Sequence, residues 1–263
     1  PCKYDANYFQ EEPYATLGFT NSGEIYYVAS TEKESFLVIG DKEQKHYAVL
    51  EAYSMVKDDN DNFAYIAKDT GSIMFNGGYF VVYGSKEYNR HFTIFDLHLD
   101  KENNPIYITM ESMSDTSPTR VVKGNQIISK PYNGGIYNVG FTPDGKLYYI
   151  ASVKKNNSDE YESFIVLDGK EMKKFQSVFR IKATPDNELL YSVSKGDNKY
   201  AVIYKDKEYD IKQSNLLAEE LLCDGTLAYV GINYGDYDKK IKDANYIYIG
   251  TKEIGPYDGL QMG

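Results

Sequence analysis

Apolar residues in this chain fall in short alternating runs broken by polar turns. The plainest run is Phe141-Thr-Pro-Asp-Gly-Lys-Leu-Tyr-Tyr-Ile-Ala-Ser152, a polar turn followed by a short alternating strand. The same pattern stands at Asn21–Ser30, Asp61–Ala67, Asn103–Thr109, Pro185–Ser192 and Cys223–Val230. A Gly or Asn precedes each strand: Gly23, Asn62, Asn104, Gly145, Asn187 and Gly225, at intervals of 39, 42, 41, 42 and 38 residues. These two residue types most readily take positive φ, so a left-handed turn is predicted at each position. Helical periodicity is absent over any useful length, and Ser214–Leu222 is the one stretch that could pass for a helix.

A second ladder lies between the first set: Phe36–Glu43, Tyr79–Glu87, Arg120–Gly124, Phe164–Glu171, Tyr200–Glu208 and Tyr246–Glu253. Each is a β-rich run ending in a turn with Gly or Lys-Glu. A short segment with an aromatic follows, at Tyr47, Phe92, Tyr132, Phe175, Tyr209 and Tyr257. Each unit thus holds four short strands. A lone four-stranded sheet cannot bury both faces, whereas units stacked face to face around an axis can. The expected fold is all-β, a six-bladed β-propeller of four-stranded antiparallel blades. It forms one domain over 1–263, with repeats near 14–50, 51–94, 95–135, 136–177, 178–213 and 214–263 and residues 1–13 as a closing segment.

Thr142-Pro-Asp-Gly-Lys-Leu-Tyr-Tyr-Ile-Ala-Ser152 resembles the Ser/Thr-Pro-Asp-Gly-Lys strand of the WD40-like, TolB-type propeller repeats of bacteria. Phe164–Glu171 and Gly255–Leu260 resemble later strands of such repeats. The resemblance covers all six units and is sharpest in the fourth; residues 56–69 and 98–112 lack the Pro. It implies the propeller fold and an extracytoplasmic setting. Its motif is structural, so it says little about activity.

Composition narrows the function classes. With 29 Lys and Arg against 39 Asp and Glu, the net charge is -10, which repels a phosphate backbone and makes nucleic acid an unexpected partner. The 27 Tyr and 12 Phe mark a folded chain. No apolar run reaches the roughly 18 residues of a membrane span. His46, His91 and His98 are scattered, so no metal site is expected. Asp58-Asp-Asn-Asp-Asn62 lacks the Gly and later Glu of a calcium loop and reads as a solvated turn. There is no phosphate-binding or dinucleotide glycine motif and no G-x-S-x-G elbow. Without Trp the chain cannot carry sialidase Asp boxes and is a poor candidate for the quinone and flavin propellers. No cofactor is expected.

Propellers often hold ligands where the innermost strands meet the central channel. One register of those strands is mostly apolar: Leu17 and Phe19, Val56, Phe95 and Leu97, Val139 and Phe141, Ile181, Leu217 and Leu221. The opposite register carries Thr16, Lys57, Asp96, His98, Asn138, Arg180, Lys182 and Glu220. Polar residues in such a row are either a ligand site at the channel mouth or paired inter-blade bonds, and a slip of one residue would exchange the two sets. The expected ligand-binding residues are Asp96, His98, Asn138, Arg180, Lys182 and Glu220. The expected function is a non-catalytic binding or scaffold module, monomeric, with a protein, peptide or glycan partner. The alternative is a glycan-active hydrolase or lyase using carboxylates and His98. That chemistry requires two carboxyls within about 5–10 Å, and Asp96 and Glu220 are roughly opposite each other in the ring. A third alternative is a regulatory propeller of a larger protein. Ring closure would run the N-terminal segment along the sixth blade and bring Cys2 towards Cys223; the pair is either a disulfide or two free thiols. The chain starts at Pro1, consistent with removal of a leader, and an extracytoplasmic location is expected.

Overall fold

The computed structural model describes residues 17–69, 78–112, 114, 117–155, 160–213, 215–222, 224–234 and 242–258. Thr16, the proposed closing segment, Cys2 and Cys223 lie outside them. The described residues form 24 strands and no α-helix. The first blade holds β1 (Leu17–Phe19), β2 (Ile25–Ser30), β3 (Ser35–Ile39) and β4 (Lys42–Glu43); the second, β5 (Val49–Lys57), β6 (Phe63–Lys68), β7 (Tyr79–Tyr83) and β8 (Lys86–Glu87). The third holds β9 (Thr93–Leu99), β10 (Pro105–Met110), β11 (Thr119–Lys123) and β12 (Gln126–Ile127); the fourth, β13 (Ile136–Phe141), β14 (Leu147–Lys154), β15 (Tyr161–Leu167) and β16 (Lys170–Glu171). The fifth holds β17 (Ser177–Ala183), β18 (Leu189–Gly196), β19 (Lys199–Tyr204) and β20 (Lys207–Ile211); the sixth, β21 (Asn215–Leu221), β22 (Leu227–Asn233), β23 (Ala244–Ile249) and β24 (Lys252–Tyr257). In every blade the four strands are hydrogen-bonded in chain order. The stretch that could pass for a helix is β21, where pairing with β22 overrides the helical propensity of its Leu, Ala and Glu residues.

All six turns between first and second strands share one construction. The residue heading the turn is Thr20, Asp58, Asp100, Thr142, Thr184 or Leu222. Its carbonyl accepts from the fourth turn residue, and its N–H donates to the fifth, as in Gly145 N–H to Thr142 O (2.8 Å) and Thr142 N–H to Lys146 O (3.0 Å). The fourth residue is left-handed: Gly23, Asp61, Asn103, Gly145, Asn187 or Gly225. Two of the predicted positions are therefore one residue late, because Asp61 and Asn103, not Asn62 and Asn104, take positive φ, at 61° and 60°. Asp and Asn tolerate that conformation through local hydrogen bonding, so adjacent Asx residues leave the choice to the turn's hydrogen bonds.

Tyr27, Tyr65, Tyr107, Tyr149, Tyr191 and Tyr229 each stand four residues beyond the left-handed position. The last five are at most 8% exposed. Burial first, then Asp206 and Glu208, pushes the Tyr191 phenol up to about 12. After β4, β8, β12 and β16, a single residue bridges back to the third strand: Tyr47, His91, Tyr132 and Phe175. His91, not Phe92, takes this place in the second blade. The Lys-Glu pairs expected to close the third strand instead begin the fourth. Edge-to-face contacts join Tyr47 to Tyr65, His91 to Tyr107 and Phe175 to Tyr191, at ring centroid distances of 6.0, 5.6 and 6.4 Å. In each pair the bridging ring of one blade meets the second-strand tyrosine of the next.

The chain divides into two compact units, Lys3–Val139 and Gly140–Gly263. In the first, Leu37 and Tyr47 pack with Leu50, Phe63, Tyr65 and Phe80. On the next blade, Ala64, Ile66 and Val81 pack with Ile94, Leu97, Tyr107 and Val122. In the second, Leu190, Val202 and Tyr204 pack with Leu216, Leu227, Tyr229 and Tyr248. Second strands covered on both faces read as continuous apolar runs; β6 is buried at every position. Each fully buried large side chain is worth about 1.5–3 kcal/mol.

Candidate functional site

The first strands of the blades are not regular. Asp96 and Leu97 of β9 oppose the single residue Tyr107. Phe179 is extra in β17, Leu217 is extra in β21, and Ala52–Met55 of β5 face only Tyr65. Asp96 and Asn138 are left-handed, at φ 56° and 55°. An extra residue at the bulge breaks the period of two. The buried residues are therefore three apart, Ile94 with Leu97 and Ile136 with Val139. This corrects the expected apolar register: Phe95 and Phe141 are only half-buried, and Leu17 and Phe19 are 57% and 69% exposed. Lys57 also leaves the polar row, because its ammonium binds Asp61 (2.7 Å) and Asn21 Oδ1 (3.0 Å) at the turns.

In the first unit, Asp96 pairs with His98, and Asn138 precedes the residue whose backbone Asp96 holds. Asp96 Oδ1 is 2.8 Å from His98 Nε2, and Asp96 Oδ2 accepts the Val139 N–H at 3.0 Å. That second bond ties the bulge of β9 to β13. The Asp96 and His98 side chains are about one-third exposed, and Asn138 is exposed.

In the second unit, Arg180, Lys182 and Glu220 come together around a residue that alternation missed, Glu219. Its carboxylate is 4% exposed and accepts Arg180 Nη1 at 2.9 Å and the Ser192 hydroxyl at 2.8 Å. Lys182 donates to Glu219 O at 3.1 Å and to Glu220 Oε2 at 2.7 Å. Strict alternation puts Glu219 in the register of Leu217 and Leu221. A carboxylate inside an apolar register was the available signal, since a buried charge needs partners. Tyr53 on β5 is 67% exposed. Among the described residues, no three His, Cys, Asp or Glu side chains gather as a metal would require. No helix among them is long and apolar enough to cross a membrane.

No protein-family model matches the chain, and no curated protein matches its sequence. A solved structure of a eukaryotic initiation factor superposes on it with a TM-score of 0.55 at 9% identity, over 94% of this chain and 66% of the other. The chain thus spans just under two thirds of that structure's length. Six consecutive four-stranded antiparallel blades and this superposition decide the architecture. It is an all-β, six-bladed β-propeller. Two further solved structures superpose too loosely to bear on the propeller's function. One is a catalytically inactive virginiamycin B lyase from Staphylococcus aureus with quinupristin, with a TM-score of 0.39 at 11% identity over 90% of this chain and 77% of that one. The other is a protein of unknown function from Bacteroides caccae, at 0.36 and 9%, over 86% and 90%.

Proposed function

We propose that this propeller is a non-catalytic binding module whose ligand, a peptide, protein or glycan, contacts polar side chains of the first strands. The observation that supports the reading is how fully the charged groups there are already engaged. Asp96 uses both oxygens, one on His98 and one on the backbone of β13. Glu219 uses both on Arg180 and Ser192. A carboxylate held in this way cannot exchange a proton with substrate without breaking a link between blades, which disfavours the hydrolase or lyase alternative. What these strands offer a ligand is, in the first unit, the exposed amide of Asn138 with the partly exposed His98 and, separately in the second unit, the partly exposed Arg180. The TolB-type resemblance of the fourth repeat favours an extracytoplasmic setting for that role.

The test screens the full chain on a glycan array and a displayed-peptide library, then measures the best binder against His98→Ala, Arg180→Ala and Asn138→Gly. Glycine accepts the left-handed backbone at 138, so this variant removes the amide without strain. Affinity lost in Asn138→Gly or His98→Ala supports the reading. Affinity unchanged in all three variants overturns it, as does release of reducing ends from any bound oligosaccharide.

A further inference from the structure

The blade repeat fails most sharply at β5. In β9, β17 and β21 the first strand carries one extra residue, whereas in β5 four residues, Ala52 to Met55, oppose the single Tyr65. The loop-out is built rather than loose. The Ser54 hydroxyl donates to Glu51 O at 2.6 Å and accepts the Ile66 N–H at 2.8 Å, standing in for the acceptor that the bulged strand no longer provides. Ser54 itself is buried at 8% exposure. The loop-out presents Tyr53. Its counterparts one repeat apart, Phe95, Tyr137 and Phe179, are half-buried, but Tyr53 is 67% exposed. Its hydroxyl is nonetheless held. Burial first, then the charge of Glu51, the Tyr79 phenol and a hydrogen bond to Glu51, raises it above the ordinary tyrosine value. A single exposed aromatic needs no explanation. One lifted out by a two-residue departure from the chain's own repeat, with a buried hydroxyl securing the distortion, does. Bulges that re-aim a side chain cluster at functional sites.

β5 packs against β9, and Asp96 on β9 holds β13. Tyr53 therefore stands on the first of three neighbouring strands, of which the next two carry the Asp96–His98 pair and the exposed Asn138. We infer that Tyr53 is the stacking platform of this site and that the ligand is a neutral oligosaccharide running across the three strands, one pyranose face lying on the phenol ring and the hydroxyls of further sugars on His98 and Asn138. The ligand class follows from the chemistry. A rigid aromatic face on one strand, an imidazole with Nδ1 left over from its bond to Asp96 on the next, and an amide that both donates and accepts on the third match a chain of rings with apolar faces and rims of hydroxyls. The inference rests on the binding-module reading.

The chain contains no Trp. Tyr53→Trp therefore introduces a single indole that reports on this position alone, and Tyr53→Ala removes the ring from a mostly exposed site. The probes are neutral unbranched hexasaccharides of glucose, xylose, mannose and N-acetylglucosamine, with a proline-rich peptide as the competing class. The expected result is that one hexasaccharide shifts the indole emission of the Tyr53→Trp variant and that Tyr53→Ala weakens its binding about tenfold, the effect of removing ~1.4 kcal/mol of stacking. Tyr53→Phe should stay within about twofold. A hexasaccharide bound equally by wild type and Tyr53→Ala, but lost in Asn138→Gly, overturns the platform and leaves the module reading intact. An emission shift with the peptide and none with any sugar overturns the ligand class. No binding of any probe to the wild-type chain overturns this inference, and the wider array screen then decides the module reading separately.

Discussion

Gly140 on β13 leaves no room for a side chain. A Cβ built there would lie 2.5 Å from Cζ of Tyr148 and 3.0 Å from its Cε2, with the hydroxyl closer still. Carbon atoms in good contact sit about 3.5–4.0 Å apart, so the ring would have to retreat by roughly 1 Å. Tyr148 is only 6% exposed and has little space to do so. Gly140→Ala should therefore carry an overpacking cost of about 1–3 kcal/mol, in spite of alanine's better strand propensity. For a chain of this size that corresponds to a fall in thermal midpoint of roughly 2–12 °C. The first blade repeats the arrangement, with Gly18 paired to Tyr26 and its built Cβ 2.5 Å from the Tyr26 ring. In the second blade the opposed pair is Val56 with Ala64, large against small in the reverse sense. The volume is thus shared across the two strands. Tyr148→Ala alone should cost about 3–5 kcal/mol through its cavity. In that background Gly140→Ala should become neutral or stabilising, a coupling of about 0.5–3 kcal/mol in a double-mutant cycle read by urea denaturation. Two costs that simply add, within about 0.5 kcal/mol, would refute the shared-volume argument.

Two further predictions concern pH. His46 stacks on Phe36 and has Glu34 2.9 Å from Nδ1 and Glu43 3.2 Å from Nε2; the hydrogen bond to Glu34, above all, raises its pKa beyond the usual 6.5. A raised folded-state value gives stability that is complete below pH 6.5 and is lost as pH rises through the folded pKa. Proton NMR should show His46 titrating above 6.5, and His46→Gln should flatten the stability profile there; a value at or below 6.5 contradicts the pairing. Asp58 behaves in the opposite sense. Burial alone would raise its pKa, but hydrogen bonds from Tyr83, Asn62 and Asn60 win and lower it to about 2. The stability it contributes is complete above 3.8 and is lost as pH falls through about 2. Asp58→Ala should cost about 1–3 kcal/mol at neutral pH by leaving those donors unpaired, and should lessen the acid dependence; an unchanged acid midpoint would count against it.

The blades were legible in the sequence because their signals are local. A turn head, a left-handed residue and a short apolar run recur at a fixed interval, and each is set by backbone chemistry within a few residues. The candidate site was legible only in part, because its geometry depends on pairing across strands. Alternation assumes one residue opposite one residue. The bulges at Asp96, Phe179 and Leu217 break that count, so alternation puts Glu219 among apolar residues, and it gives no sign of the loop-out in β5. The turn at Asp58 shows the same limit on a smaller scale: Asp61 and Asn62 both suit a left-handed backbone, and the bond from Asp61 N–H to Asp58 O selects the first. Asn215–Leu221 has a helix former at most positions, and only its partner strand makes it extended.

The internal repeat also supplies a comparison that a single sequence otherwise lacks. Positions that carry the same residue type in every blade serve the frame, as the tyrosine four residues past each turn does. One bulge position in blades two to six instead holds Ser54, Asp96, Asn138, Arg180 and Ala218. Three of these side chains have frame duties: Ser54 completes β6, Asp96 binds β13, and Arg180 neutralises Glu219. Ala218 has nothing to offer. Asn138 is exposed, and what the frame asks of it is a left-handed backbone, which glycine would supply equally well. Its amide is thus surplus to the fold at the same point of the strand where its neighbours' side chains are consumed by it. Two strands away, the frame bends further than it needs to and lifts Tyr53 into solvent. A surplus amide and a surplus ring on the first strands of blades four and two are what a repeat would lose first if folding were all it served, and for that reason they, rather than the paired charges, are the residues on which the binding reading stands.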